Sequence, residues 1–318
     1  MERRPVFIDC DPGIDDAVAL MMAFQAAELD VRGISAVAGN VGLERTLGNA
    51  LKIVELSGAA APVYAGADRP MFGAPITAEH FHGEDGLLGA ELPAPVRMPE
   101  AGPAWEALRR EAEAWGGALE VVATGPLTNL GIALSLYPEL AGLVRCVTMM
   151  GGAAAFGNTT PAAEFNVLAD PEAAELVFRS GIPVVMCGLD VTHSTYITAR
   201  EVEKLAALGS VQARLAAYFM GSGIKENARQ FRTGGAPLHD PCAMMYAIDR
   251  SLFASKPCWI GVERHGKVTR GKTVTDAYSD AKRTANARLV TGSDREGFIC
   301  RMMELFAGYG SEMPDEKF

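Results

Sequence analysis

The segment Asp9-Cys-Asp11-Pro-Gly13-Ile-Asp15-Asp16 places four carboxylates within eight residues, directly after the apolar run Pro5-Val-Phe-Ile. Like charges this close raise one another's pKa unless a positive group stands among them. No Lys or Arg occurs between Val6 and Arg32, so a bound cation is the natural compensation. Hard oxygen ligands select Ca2+ or Mg2+ over zinc. Pro12 and Gly13 supply a sharp turn that folds the flanking acids toward one point. Complementing a helix N-terminus would explain Asp15 and Asp16 but leaves Asp9 and Asp11 without a role. Two further polar stretches, residues 158–166 and 239–241, also lack Lys and Arg. Phosphoryl transfer calls for cationic clamps on the phosphate oxygens, so this set suits a neutral polyol better.

These residues need elements to hold them. Residues 5–10 read as a buried strand, 15–28 as a helix, 31–38 as a second strand and 43–57 as a second helix. Further strands are expected at 119–123, 143–149 and 183–188. Strands alternating with helical segments indicate a single α/β domain over residues 1–318, with a mainly parallel central sheet flanked by helices in a Rossmann-like core. In such a sheet ligands bind beyond the carboxyl ends of the strands, where the acidic loop falls. Asp170-Pro171-Glu172 starts a helix with Asp as N-cap and Pro at the first position. Residues 201–232 read as a helical lid, residues 234–237 as a chain break, and His239-Asp240-Pro241 as the start of an apolar helix. The stretch 255–274 has β character, and 294–307 is a last amphipathic helix.

Composition narrows the function classes. The chain has 318 residues, a formal charge of −10 and 49% hydrophobic residues, which excludes a disordered chain. The acidity disfavours nucleic acid, whose binding relies on Lys and Arg at phosphates. No uninterrupted apolar run of about 18 residues suggests a membrane span. The six cysteines are scattered, without a CxxC pair and mostly in apolar runs, as free thiols are in a reducing, cytoplasmic setting.

The acidic loop heads an ordered series along most of the chain: Ala38-Gly-Asn40, His82-Gly-Glu-Asp-Gly86, Thr124-Gly-Pro-Leu-Thr-Asn129, Met150-Gly-Gly152 followed by Gly157-Asn158, Ala163-Glu-Phe-Asn166, Leu189-Asp-Val-Thr-His193 and His239-Asp-Pro241. This series resembles the calcium-dependent nucleoside hydrolases of the inosine/uridine-preferring type. The resemblance implies hydrolysis of ribonucleosides to ribose and free base by a Ca2+-activated water. It implies Asp11, Asp16 and Asp240 as calcium carboxylates, the Thr124 carbonyl as another metal oxygen, and Asp11 as general base. Asp15, Asn166 and Asp240 match contacts to the ribose 2′- and 3′-hydroxyls, Asn158 and Glu164 match 5′-hydroxyl contacts, and Asn40 orders the site. His239 matches a leaving-group acid and His82 a base-side residue. His239 in place of an aromatic residue before Asp240 points away from purine specificity, toward inosine/uridine or pyrimidine nucleosides. A homodimer or homotetramer is also implied.

Plainer roles compete with some of these. Asp240 and Pro241 fit a helix cap, Asn40 an ordinary turn, and the alternation of Glu164 and Asn166 an exposed extended edge. Asp170 and Glu172 are read as structural. Tyr218, Phe219 and Phe231 suit either core or a lid that stacks on the base, while Trp105, Trp115 and Trp259 suit packing. Two rivals remain at this level: a Mg2+-dependent phosphatase with Asp9 or Asp11 as nucleophile, since a first-strand DxD also occurs in haloacid-dehalogenase-type phosphatases, and a nucleoside-binding protein without catalysis.

Overall fold

The structure, a computed structural model, describes residues 3–230, 234–276 and 283–310. Its strands are β1 (Arg4–Cys10), β2 (Leu29–Ala36), β3 (Val63–Ala65), β4 (Leu119–Ala123), β5 (Val144–Met150), β6 (Val184–Cys187), β7 (Tyr196–Thr198), β8 (Gly235–Pro237), β9 (Phe253–Val262), β10 (Thr273–Asp276) and β11 (Ala287–Ser293). Nine of them form one sheet in the order β10-β9-β11-β6-β5-β4-β1-β2-β3, and β7 pairs with β8 apart from it. From β11 to β3 all neighbours are parallel; β9 runs antiparallel to both β11 and β10. The mainly parallel α/β sheet expected from the sequence is therefore present.

Side-chain alternation along the central strand builds both core layers. Val6, Ile8 and Cys10 of β1 enter one layer and Phe7 the other. Helices α1 (Ile14–Gln25), α2 (Leu43–Leu56), α11 (Val211–Gln230), α12 (His239–Ile248) and α13 (Arg295–Ala307) contribute to the first layer. The second is covered by α4 (Ala104–Trp115), α5 (Thr128–Leu136) and α8 (Pro171–Arg179). Helix α12 is buried along almost its whole length and packs on α1, β4 and β5, which explains its apolar sequence after His239. Short helices α3 (Glu79–His82), α6 (Leu140–Leu143), α7 (Phe165–Ala169), α9 (Leu189–Thr192) and α10 (Ala199–Ala206) complete the set. Among the described residues no helix is long and apolar enough to cross a membrane.

Several expectations are refined by the packing. The described part of the stretch, residues 201–230, is two helices, because α10 ends at Ala206 and Ser210 caps the start of α11 by accepting from Ala213 N. Leu205, Ala213, Leu215, Ala216 and Phe219 are buried in the core, so this part packs as core. Tyr218 is 49% exposed and its hydroxyl donates to Leu88 O, while Phe231 lies outside the described residues. Residues 235–237, read as a break, pair as β8 with β7. Strand β11 was not anticipated; it lies between β6 and β9 and extends the parallel run.

Candidate active site

The sheet order reverses at β1, whose neighbours are β2 and β4, and the acidic loop leaves the sheet at that carboxyl end. This is the topological switch point at which open α/β sheets bind ligands. The Asn40 turn follows β2, Thr124 follows β4 and Gly151-Gly152 follows β5. A cavity of about 250 Å3 opens there, lined by Asp15, Asn40, His82, Asn158, Glu164, Asn166, His239 and Asp240 among others, and by Thr124. Among the described residues no Lys or Arg lines it.

Asp16 is the best-organised acid. As third residue of α1 it accepts from Gly13 N at 3.1 Å, and also from Thr124 Oγ1 at 2.7 Å, Asn40 Nδ2 at 3.1 Å and Asp11 N at 3.3 Å. Carboxylate oxygens of Asp15, Asp16 and Asp240 lie within 4.8 Å of one another, a grouping that can hold a metal ion. Asp11 stands beside this group rather than within it. Its Oδ2 accepts from Asn40 N at 2.7 Å, and its buried Oδ1 has no partner among the described residues. Asp15 Oδ1 is a second buried oxygen without one. Burial pushes the carboxyls of Asp11, Asp15, Asp16 and Asp240 above the ordinary range, and repulsion from neighbouring acids adds to it for Asp11, Asp16 and Asp240. Orphaned acceptors in a purely oxygen donor set fit a hard divalent cation.

Asp9 departs from the cluster. It shares Phe7's side of β1, where Oδ1 accepts from Ser35 Oγ and from Asn129 Nδ2 of α5. It does not line the cavity and stands apart from the grouping of Asp15, Asp16 and Asp240. Burial raises its pKa to about 6.

Glu164 is not on an extended edge but is the N-cap of α7. Its carboxylate accepts from Asn166 N, Val167 N and Gly152 N. Burial raises its pKa to about 6 against those three donors. Asn166 donates Nδ2 to the Thr124 and Met150 carbonyls, which leaves its Oδ1 free to face the cavity. Asn158 Oδ1 accepts from Phe165 N and ties its loop to the start of α7.

Four histidines, His80, His82, His193 and His239, line the same space. His82 Nδ1 accepts from Ile14 N at 3.3 Å, so the ring hydrogen sits on Nε2, and burial lowers its pKa to about 4. His239 Nδ1 lies 2.9 Å from Thr192 Oγ1, and its ring meets His193 edge-on at 5.7 Å between centroids. Burial, then repulsion from His193 and His82, lowers its pKa to about 3. The cavity also includes Met150, Phe81 and Phe165, which the sequence reading left without a role. Phe81 sits beside His82 in α3, a helix too short to show a periodic signal.

The family model for inosine-uridine preferring nucleoside hydrolase matches residues 6–300. The pyrimidine-specific ribonucleoside hydrolase RihA of Shewanella sp. (strain ANA-3) is 40% identical over 311 residues, spanning 96% of this chain and 97% of its own. RihA of Salmonella enteritidis PT4 is 42% identical, spanning 96% and 99%. A solved structure of the purine-preferring ribonucleoside hydrolase from Gardnerella vaginalis superposes with a TM-score of 0.90 at 31% identity, covering 96% of this chain and 99% of that one. With a cavity lined by acids at the switch point and near full-length similarity on every count, the chain belongs to the inosine-uridine preferring nucleoside hydrolases and is an N-glycosyl hydrolase.

Proposed function

We propose that this enzyme hydrolyses pyrimidine ribonucleosides, uridine and cytidine, to ribose and free base with Ca2+ as its metal. The observation that carries the reading is the pair of orphaned carboxylate oxygens, one on Asp15, which lines the cavity, and one on Asp11 beside the acid cluster, with no Lys or Arg among the described residues that line that cavity. Asp15, Asp16 and Asp240 would hold the ion, with Asp11 and the Thr124 carbonyl as further oxygen donors. When bound, such a cation gathers the ribose diol and a water and makes that water more acidic. The pyrimidine preference rests on the RihA relatives and on His239 standing before Asp240.

The chain's own groups divide the remaining work. Asn40 N fixes one oxygen of Asp11, and the free Oδ1 takes a proton from the attacking water. Asp15, Asp240 and Asn166 Oδ1 accept from the 2′- and 3′-hydroxyls. A carboxylate offers about four acceptor positions, and Glu164 uses three on backbone N–H groups, so one remains for the 5′-hydroxyl beside Asn158. The acids also favour positive charge developing at C1′ as the glycosidic bond stretches. His239, neutral at its low pKa, eases departure of the base by offering it an N–H hydrogen bond.

A reducing-sugar assay on uridine, cytidine, inosine and adenosine, with Ca2+ and with chelator, tests this. The expected result is ribose release that is fastest from the pyrimidines and abolished by chelation. No ribose from any nucleoside in the presence of Ca2+ overturns it, and phosphate release from a phosphomonoester would restore the phosphatase.

A further inference from the structure

Within the stretch Leu189-Asp-Val-Thr-His193, residues 189–192 form α9 directly after β6 and His193 is its C-cap. Asp190 and Thr192 are two residues apart on this helix, about 200° around its axis, so their side chains leave on opposite sides. Asp190 accepts from Ala154 N at 2.7 Å and Ala155 N at 3.1 Å. From another element, Lys272 Nζ donates to the carbonyls of Ala153 at 3.0 Å, Ala154 at 3.1 Å and Ala155. Thr273 Oγ1 accepts from Ala153 N at 2.8 Å and donates to Ala153 O at 2.7 Å. Leu189 N donates to Gly152 O at 2.9 Å, and Gly152 N in turn holds Glu164. Residues 152–155 are thus gripped on both backbone edges, at the root of the loop that carries Asn158.

Thr192 is fully buried, and among the described residues its hydroxyl has one partner, His239 Nδ1. If it accepted from an Nδ1–H, its own hydrogen would be buried without an acceptor, which costs the desolvation of that group. The hydroxyl therefore donates, Nδ1 accepts, and the imidazole hydrogen sits on Nε2.

We propose that Asp190 and Thr192 are positioning residues for the two ends of the bound nucleoside: Asp190, with Lys272, fixes the loop that meets the 5′-hydroxyl, and Thr192 orients His239 with Nε2–H available to the departing base. The assignment rests on the nucleoside reading above and adds to it a division of labour within one helical turn. Neither residue touches substrate. Each acts through the group it holds.

Steady-state kinetics with uridine, 5′-deoxyuridine and p-nitrophenyl riboside separate the two roles. Asp190→Asn is expected to lower kcat/KM for uridine about tenfold while leaving 5′-deoxyuridine within about twofold, since a substrate without the hydroxyl gains nothing from the loop. Lys272→Met should give the same pattern, and it keeps the test open if Asp190→Asn fails to fold. Thr192→Val is expected to lower kcat for uridine about tenfold with KM within about twofold, to spare p-nitrophenyl riboside, and to be rescued by Thr192→Ser. Equal losses on uridine and 5′-deoxyuridine overturn the role of Asp190. Equal losses on uridine and p-nitrophenyl riboside, or no rescue by Ser, overturn that of Thr192. A wild-type enzyme that released no ribose from uridine would instead overturn the nucleoside reading, and this assignment with it.

Discussion

At the scale of single residues, chemistry here depends on which oxygen of each acid is already committed. Asp11 and Asp9 are two residues apart, both buried and each with one oxygen unpartnered among the described residues, yet Asp11 stands beside the metal-site acids whereas Ser35 and Asn129 hold Asp9 through Oδ1 on the other side of the sheet. Asp11→Asn preserves an acceptor for Asn40 N and removes the charge and the base. It is expected to lower kcat for uridine by about 10²–10⁴, the usual contribution of a general base, and near-wild-type turnover would refute the role. His239→Ala should cost about 10²-fold on uridine but little on p-nitrophenyl riboside, whose leaving group departs without help. Comparing the two substrates on the same preparation checks this.

Elements hold those atoms in register. Gly13, the N-cap of α1, has an ordinary extended backbone with φ −97°, so its lack of a side chain answers to space. A Cβ there would stand 2.4 Å from His82 Nδ1 and 2.8 Å from Asn40 Nδ2. Gly13→Ala is expected to cost about 1–3 kcal/mol of stability and to depress turnover, because it displaces the group that bonds Ile14 N and the one that bonds Asp16. A urea titration and an assay at saturating uridine read both effects. Asp170 shows the complementary case. It caps α8 through Ala173 N, and it also binds Met71 N at 2.7 Å and Thr128 Oγ1 at 2.8 Å. Asp170→Ala should lower stability by about 1–3 kcal/mol, seen as a lower urea midpoint, with kcat/KM for uridine kept within about twofold.

The whole molecule couples the acid cluster to pH. Asp11, Asp15, Asp16 and Asp240 have carboxyls raised above the ordinary value of 3.8, so the metal-free fold binds more protons than the unfolded chain across that interval. Stability then falls as pH rises, because each proton lost leaves a charge buried away from water, and repulsion among Asp11, Asp16 and Asp240 adds to that cost. A divalent cation reverses that repulsion and competes with the same protons. Thermal denaturation should therefore show a larger Ca2+-induced rise in Tm at pH 8 than at pH 5. An equal rise at both values would separate metal binding from these acids.

Much was legible in the chain before folding. Largely apolar runs such as 5–10 and 119–123, each broken by a single acid, pointed to buried parallel strands, because a sheet covered on both faces accepts them. The acidic turn and the ordered polar segments marked the ligand end of that sheet. Tertiary structure alone decided which acids converge. Asp240, from the far end of the chain, joins Asp15 and Asp16 because α12 packs on α1, whereas neighbouring Asp9 is turned away by strand alternation. It also turned Glu164 from an apparent strand residue into a helix cap, and it gave Asp190 and Thr192 their partners. Spacing along a chain fixes which side chains share a face of one element; only packing between distant segments fixes what that face meets.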